Sequence, residues 1–239
     1  MQIETISSLL EGNYVDFTKA LTYPFDDPDW LKKLGIGLLL SLVPVIGTIA
    51  LQGWQLEIVK RVRTNHPNPL PDWDFGSMFS KGLILFLAWI VYLLPAMILG
   101  CLAWLGPIVL AGAAASSDNG GAAGGLATVV MACCGCLAFL LLLAGAIVYF
   151  GGYIRFVDRE EFGTFMQFSD NIAIVRDNIG DFAMALVVIM VAAFAFGLIG
   201  SVVIVGGLLV TIFTTYFGGH ILGQLAAKVG GGRAAVPAV

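Results

Sequence analysis

The stretch YPFDDPDWLKKLGIGLLLSLVPVIGTIALQGWQLEIVKRVR, Tyr23 to Arg63, decides how the rest of the chain is read. A turn-rich lead (Pro24, Asp26, Asp27, Pro28, Asp29) meets Trp30, Lys32 and Lys33. An apolar run over 34–55 follows, broken in its middle by Pro44-Val45-Ile46-Gly47, and Lys60, Arg61 and Arg63 close it. The run is long enough for one membrane span of about 20 residues. It has a second solution. Pro44 has no N–H to donate and Gly47 tolerates turn dihedrals, so the run can fold back as a re-entrant hairpin. Non-helical backbone is allowed at membrane depth where protein buries it.

Outward from this stretch the chain stays apolar. Its mean hydropathy is +0.92 and only 12% of its 239 residues are charged, against about 25% in a soluble domain. Lipid is the solvent that such a surface needs. Further apolar runs occupy 82–115, 126–154, 182–205 and 207–227. The first of these exceeds one perpendicular span and carries Pro95 and Pro107, so it tilts, kinks or extends. The last two are parted by Gly206-Gly207. Residues 1–30 read as an amphipathic helix (Ile3, Ile6, Leu10, Tyr14, Phe17, Leu21) and polar lead, 31–227 as the membrane domain, and 228–239 as a disordered tail. No secretory leader is legible, because Glu4, Glu11 and Asp16 precede the first apolar run. The segment 116–125 reads as a flexible loop. Over 155–182 the stripe Phe165, Phe168, Ile172, Val175, Ile179, Phe182 predicts an in-plane amphipathic helix with Asp170, Asn171 and Asp177 on its wet side.

Charge sets the topology. Lys19, Lys32 and Lys33 precede the first run, and Lys60, Arg61, Arg63 and Lys81 follow it. Arg155, Arg159 and Arg176 follow the third, Lys228 and Arg233 follow the last, and 116–125 has none. A hairpin at 34–55 puts all twelve on the cytoplasmic side; a full crossing strands the first three outside. The charges favour the hairpin. The expected fold is therefore all-α: a polytopic integral membrane bundle of about four full spans plus the re-entrant hairpin (or a fifth span). A cytoplasmic membrane is the expected location, with basic loops inside. A faint echo between Ser41–Gly47 and Ser201–Gly207 invites, but does not carry, an internal repeat.

The motifs resemble a known family. Tyr23-Pro24-Phe25, Asp27-Pro28-Asp29-Trp30-Leu31-Lys32-Lys33, the Pro44–Gly47 break, Gly53 before a basic helix, Leu70-Pro71-Asp72-Trp73 and Leu222-Gly223-Gln224 are similar to those of a prokaryotic membrane family known only as domain of unknown function number four thousand and thirteen. Trp54 stands where that family often has Tyr. The resemblance implies a multi-pass helical protein and brings no activity, cofactor or catalytic residue.

Candidate chemistry is sparse. Cys101, Cys133, Cys134 and Cys136 lie in apolar runs, where cysteine packs as a small hydrophobe. Cys133 and Cys136 share a helical face, but the only histidines are His66 and His220, in other segments. Tyr216, His220 and Gln224 fall at i, i+4, i+8 on one face of the last run. Such a face serves as an interhelical hydrogen-bond stripe, or as a substrate or quinone contact. Gly219 and Gly223 form a small-residue face beside it. Gln52, Gln55 and Glu57 read as structural. The later runs hold no acid or base at depth, and no phosphate-binding loop, paired carboxylates or metalloprotease motif is present. The expectation is a non-enzymatic membrane protein with no cofactor and no nucleic-acid partner. Its partners are the bilayer and other membrane subunits or a second copy, as a scaffold or accessory subunit. The alternative is a small transporter or lipid-handling protein with a cavity near Pro44–Gly47 and the Tyr216/His220/Gln224 face.

Overall fold

The computed structural model describes residues 16–114, 120–200 and 206–230. The stripe through Tyr14, the tail beyond Gly230 and most of the 201–207 echo lie outside them. The described residues form helices and no strand. They are α1 (Phe17–Thr22), a 3-10 turn (Tyr23–Asp26), α2 (Trp30–Ser41), α3 (Ile46–Arg63), α4 (Phe75–Ala114), α5 (Gly120–Arg159), α6 (Gly163–Met166), α7 (Phe168–Asp177), α8 (Ile179–Gly200) and α9 (Gly206–Gly230). Four are long and apolar enough to cross a membrane: α4, α5, α8 and α9. The fold is an all-α polytopic bundle.

The 34–55 run is two helices. α2 ends at Ser41, and α3 starts at Ile46. Val45 has φ 66° and ψ −65°, and the Ile46 N–H donates to the Pro44 carbonyl at 2.8 Å. That is a γ-turn of the rare positive-φ kind, centred on a β-branched residue, which costs on the order of 1–3 kcal/mol. Gly47 plays a different part from the one expected. It is helical, and a Cβ there would overlap the Leu40 carbonyl oxygen. Its smallness, not its dihedral freedom, lets the two arms meet. The arms are unequal: at about 1.5 Å per residue, α2 is about 18 Å long and α3 about 27 Å.

α3 is the centre of the bundle. Trp54, Leu56, Ile58 and Val59 are fully buried. One face meets α4 at backbone distance. A Cβ at Gly53 would overlap the Met78 carbonyl, and one at Gly82 the Ile49 carbonyl. The other face meets α9, where Gly219 admits Ile58 and Gly223 admits Val62. Apolar burial gains nothing between helices in lipid, so such contacts depend on close packing and hydrogen bonds. α5 lies along α4, with Gly145 against the Tyr92 backbone, and α8 lies along α9 through Phe196, Phe213 and Phe217.

The polar segment after α5 departs from the expected single helix. α5 runs on to Arg159, and breaks at Gln167 and Asn178 divide the rest. Phe165, Val175 and Phe182 are buried, while Phe168, Ile172 and Ile179 are exposed. The reason is Asn171, fully buried rather than wet. Its amide nitrogen donates to the Thr164 carbonyl at 3.1 Å and the Tyr92 hydroxyl at 3.2 Å, and its oxygen accepts from Arg155 at 2.7 Å. α5 also begins earlier than expected: the loop read over 116–125 is helical from Gly120.

Ion pairs gather at one end of the bundle. Glu57 and Lys60 of α3, Lys81 of α4 and Glu160 after α5 form one network, with Lys81 Nζ to Glu57 Oε1 at 2.5 Å and Lys60 paired to Glu160. Arg63 pairs with Asp158, and Lys228 with Asp181 at 2.7 Å. The Gly53→Ala substitution is expected to destabilise the protein by about 1–3 kcal/mol or more, because backbone must move. Gly100→Ala, at a position with open space around it, is expected to change stability by less than about 0.5 kcal/mol or to raise it slightly. Thermal unfolding of both variants in detergent tests the pair.

Candidate functional site

Two polar clusters sit at the charged end. The first is built by the turn before α2. The Asp29 N–H donates to Asp27 Oδ1 at 2.8 Å, an Asx turn that starts the helix. One turn on, Lys33 Nζ donates to Asp27 Oδ2 at 2.6 Å and to the Leu70 carbonyl at 3.0 Å, and pairs with Asp72 Oδ1 at 3.0 Å. The ammonium thus has two hydrogen-bond acceptors and a second carboxylate beside it. Arg61, at the far end of α3, also donates to the Leu70 carbonyl, at 3.4 Å. The start of α2 and the end of α3 therefore share one acceptor, and the two arms form a hairpin with both ends at the same end of the bundle. Trp73 donates to the Lys33 carbonyl at 2.8 Å and stacks on Trp54 at 4.7 Å, and Trp54 donates to the Pro71 carbonyl at 3.2 Å. The Leu70-Pro71-Asp72-Trp73 loop is thus a strap across the base of the hairpin.

Asp27 and Lys33 are each only 4% exposed. Burial works against the Asp27 carboxylate, but hydrogen bonds from Lys33, Asn68 and the Asp29 backbone hold its pKa below the ordinary value. Burial works against the Lys33 ammonium too, and Asp27 and Asp72 hold its pKa above the ordinary value.

The second cluster joins α9 to the N-terminal turn. The buried Tyr23 hydroxyl donates to the Tyr216 carbonyl at 3.1 Å, and the Tyr23 ring lies 4.7 Å from that of His220. Gln224 Nε2 donates to the Asp16 carbonyl at 3.1 Å and lies 2.8 Å from His220 Nδ1, while Gln224 Oε1 accepts from the Asp16 N–H at 2.7 Å. With the amide in that orientation, Nδ1 is the acceptor and the ring proton is on Nε2.

Between the clusters opens a polar cleft of about 970 Å³. Its walls are the N-terminal turn, the loop 65–69 and the end of α9, with His66, His220, Gln224 and Lys228 among its lining. Of the sequence-predicted face, His220 and Gln224 border this cleft, and Tyr216 does not. The cleft lies at the base of the hairpin, away from the Pro44–Gly47 tip, where Leu42, Val43, Val45 and Ile46 are exposed. Gly206 opens α9, its Cβ position filled by Gly200, and Gly207 has open space. Cys101, Cys133 and Cys136 lie on the outer surface.

The family model described as a protein of unknown function, DUF4013, matches residues 36–205. The chain belongs to the DUF4013 family. The match takes in the Pro44–Gly47 break, Gly53 and the Leu70–Trp73 strap of this DUF4013 protein. The Tyr23–Lys33 motifs precede the match and Leu222-Gly223-Gln224 follows it. No curated protein and no solved structure matches the chain.

Sequence reading missed Asp27, Lys33 and Asn171 as site-forming residues. Lys33 looked like its exposed neighbour Lys32, and only the strap of Leu70 and Asp72, far along the chain, distinguishes them. Lys33→Ala leaves Asp27 buried and unpaired and is expected to cost about 3–5 kcal/mol; Lys32→Ala is expected to cost less than about 0.5 kcal/mol. The Asp27 contribution is present above the ordinary carboxylate pKa and is lost as pH falls through its lowered folded value. The Lys33 contribution is present below the ordinary lysine pKa and is lost as pH rises through its raised value. Unfolding curves taken across pH are expected to show both losses in the wild type; in Lys33→Ala the alkaline loss is expected to be absent and the acid loss smaller, because Asn68 and the Asp29 N–H still face Asp27.

Proposed function

We propose that this protein is a non-catalytic membrane scaffold or accessory subunit that packs against another membrane protein or a second copy of itself. The observation that supports this reading is the far half of α4 and α5. From Lys81 to Val109 the helix rises about 42 Å and from Leu126 to Arg155 about 44 Å, at about 1.5 Å per residue, against a hydrocarbon core of about 30 Å. The surplus is apolar and uncovered: Trp104 is 78% exposed, and Leu105, Ile108, Val109, Leu126 and Val129 are exposed with it. No residue in the most apolar window of α5 is buried by its own chain. Hiding that surface by tilt alone needs about 45°, beyond the range of about 0–40° for membrane helices. A neighbouring protein hides it without that tilt. The polar residues agree, since Tyr23 and Asp16 already occupy the partners of Tyr216, His220 and Gln224.

In the same reading the 34–55 hairpin dips into the bilayer and returns. Its exposed tip is apolar and its base is charged, and the positive-inside rule puts that base in the cytoplasm. A small transporter is the second reading; the cleft beside His220 and Gln224 speaks for it.

Gentle detergent extraction followed by native mass determination is expected to give a mass above that of one chain. A lone monomer with no co-purifying chain sinks the scaffold. Orientation has a separate readout, in a background with the four native cysteines replaced by alanine. Cysteines introduced at Asp26 and Asn68 are expected to be shielded from an impermeant reagent outside the cell, and one at Ser117 to be labelled. Labelling at Asp26 together with Ser117 overturns the dip.

A further inference from the structure

The polar cleft has an apolar neighbour. A groove of about 250 Å³ runs between α5, α8 and α9, with Ile147, Phe150, Phe182, Ala183 and Leu186 in its walls. Leu225 lines both the groove and the cleft, so the two are neighbours that share this residue in their walls. The Asp181–Lys228 ion pair stands at that boundary, one residue before Phe182 and three after Leu225. The groove belongs to the membrane-spanning helices and the cleft to the charged end. Ligand pockets usually measure about 300–1,000 Å³: the cleft is large enough for a polar group, and the groove for a length of alkyl chain only. A polar chamber set beside an apolar slot in this order has the shape of an amphiphile, with Leu225 as the side chain that a bound chain displaces.

We infer that cleft and groove together are a binding site for one membrane phospholipid with a zwitterionic, amine-bearing headgroup, the head in the cleft and one acyl chain in the groove. The charges of the cleft select the head. Asp27 is neutralised by Lys33, and Asp181 by Lys228. Among the described residues the Asp26 carboxylate and the Lys19 ammonium have no side-chain partner, and Asp16 spends one oxygen capping α1. The open positions thus include both signs, with the Asp26 carboxylate for an ammonium and the Lys19 ammonium for a phosphate. A purely anionic head would meet Asp16 and Asp26 with nothing to offer them. The inference gives the second reading above a ligand class. It does not depend on the partner proposed for α4 and α5, because binding is read on the isolated chain.

The test is native mass spectrometry of the full chain released from nanodiscs of equal phosphatidylethanolamine and phosphatidylglycerol. Phosphatidylethanolamine is expected to be retained at least five-fold over phosphatidylglycerol. Ala183→Trp, at an exposed groove position, is expected to lower total retention about ten-fold. Asp26→Asn, at the exposed rim of the cleft, is expected to bring the two lipids to equal retention. Circular dichroism checks that both variants keep their helices. Equal retention by the unaltered chain, preference for phosphatidylglycerol, or enrichment that survives either substitution overturns the site.

Discussion

One ammonium group, Lys33 Nζ, holds the base of this structure together. It donates to Asp27 in the turn before α2 and to the Leu70 carbonyl in the strap after α3, and pairs with Asp72 in that strap. Because Arg61 reaches the same Leu70 carbonyl, the strap sees both arms of the hairpin at once. A buried pair of this kind is weak evidence for net stability, since desolvation offsets much of the attraction. Its strength is in specification. An arrangement in which the 34–55 run crossed straight through would keep the local Asp27–Lys33 pair and take both away from the strap, with its Leu70 carbonyl and Asp72 carboxylate.

With the hairpin closed, α3 becomes the post against which the spans are set. α4 approaches it at Gly53 and Gly82, and α9 at Gly219 and Gly223. Lipid supplies no apolar driving force for either contact, so each depends on backbone coming close and on polar groups at the charged end. The result is asymmetric. At the charged end, strap, ion-pair network and buried Asn171 lock the helices together. At the far end, among the described residues, α4 and α5 pack chiefly against each other. The cleft and groove open where tight packing gives way, around Leu225.

Much of this was legible before any coordinates. The count of spans follows from lengths of apolar sequence, and the break at Pro44–Gly47 follows from a residue without an N–H beside one without a side chain. The small-residue face of Gly219 and Gly223 was visible at helical spacing. The stripe through Phe165 and Ile179 misled, because period alone cannot show that Asn171 has partners on α4 and α5. The same limit hid Lys33 beside Lys32: both are basic, both begin α2, and only one faces the strap. The cleft was beyond reach, since its lining comes from segments about 200 residues apart.

By itself, the sequence determined that the chain lives in lipid, that it is helical throughout its spans, and that a turn interrupts the first apolar run. These depend on local composition and on how far a helix reaches per residue. The tertiary structure decided how that run is closed, which of two adjacent lysines is buried, and where polar surface remains open. Those outcomes depend on acceptors contributed from distant parts of the chain, and no local pattern encodes which acceptor meets which donor. The stretch from Tyr23 to Arg63 shows both. Its break is written in Pro44 and Gly47, but the strain of turning falls on Val45, because Gly47 is needed for its missing Cβ against Leu40.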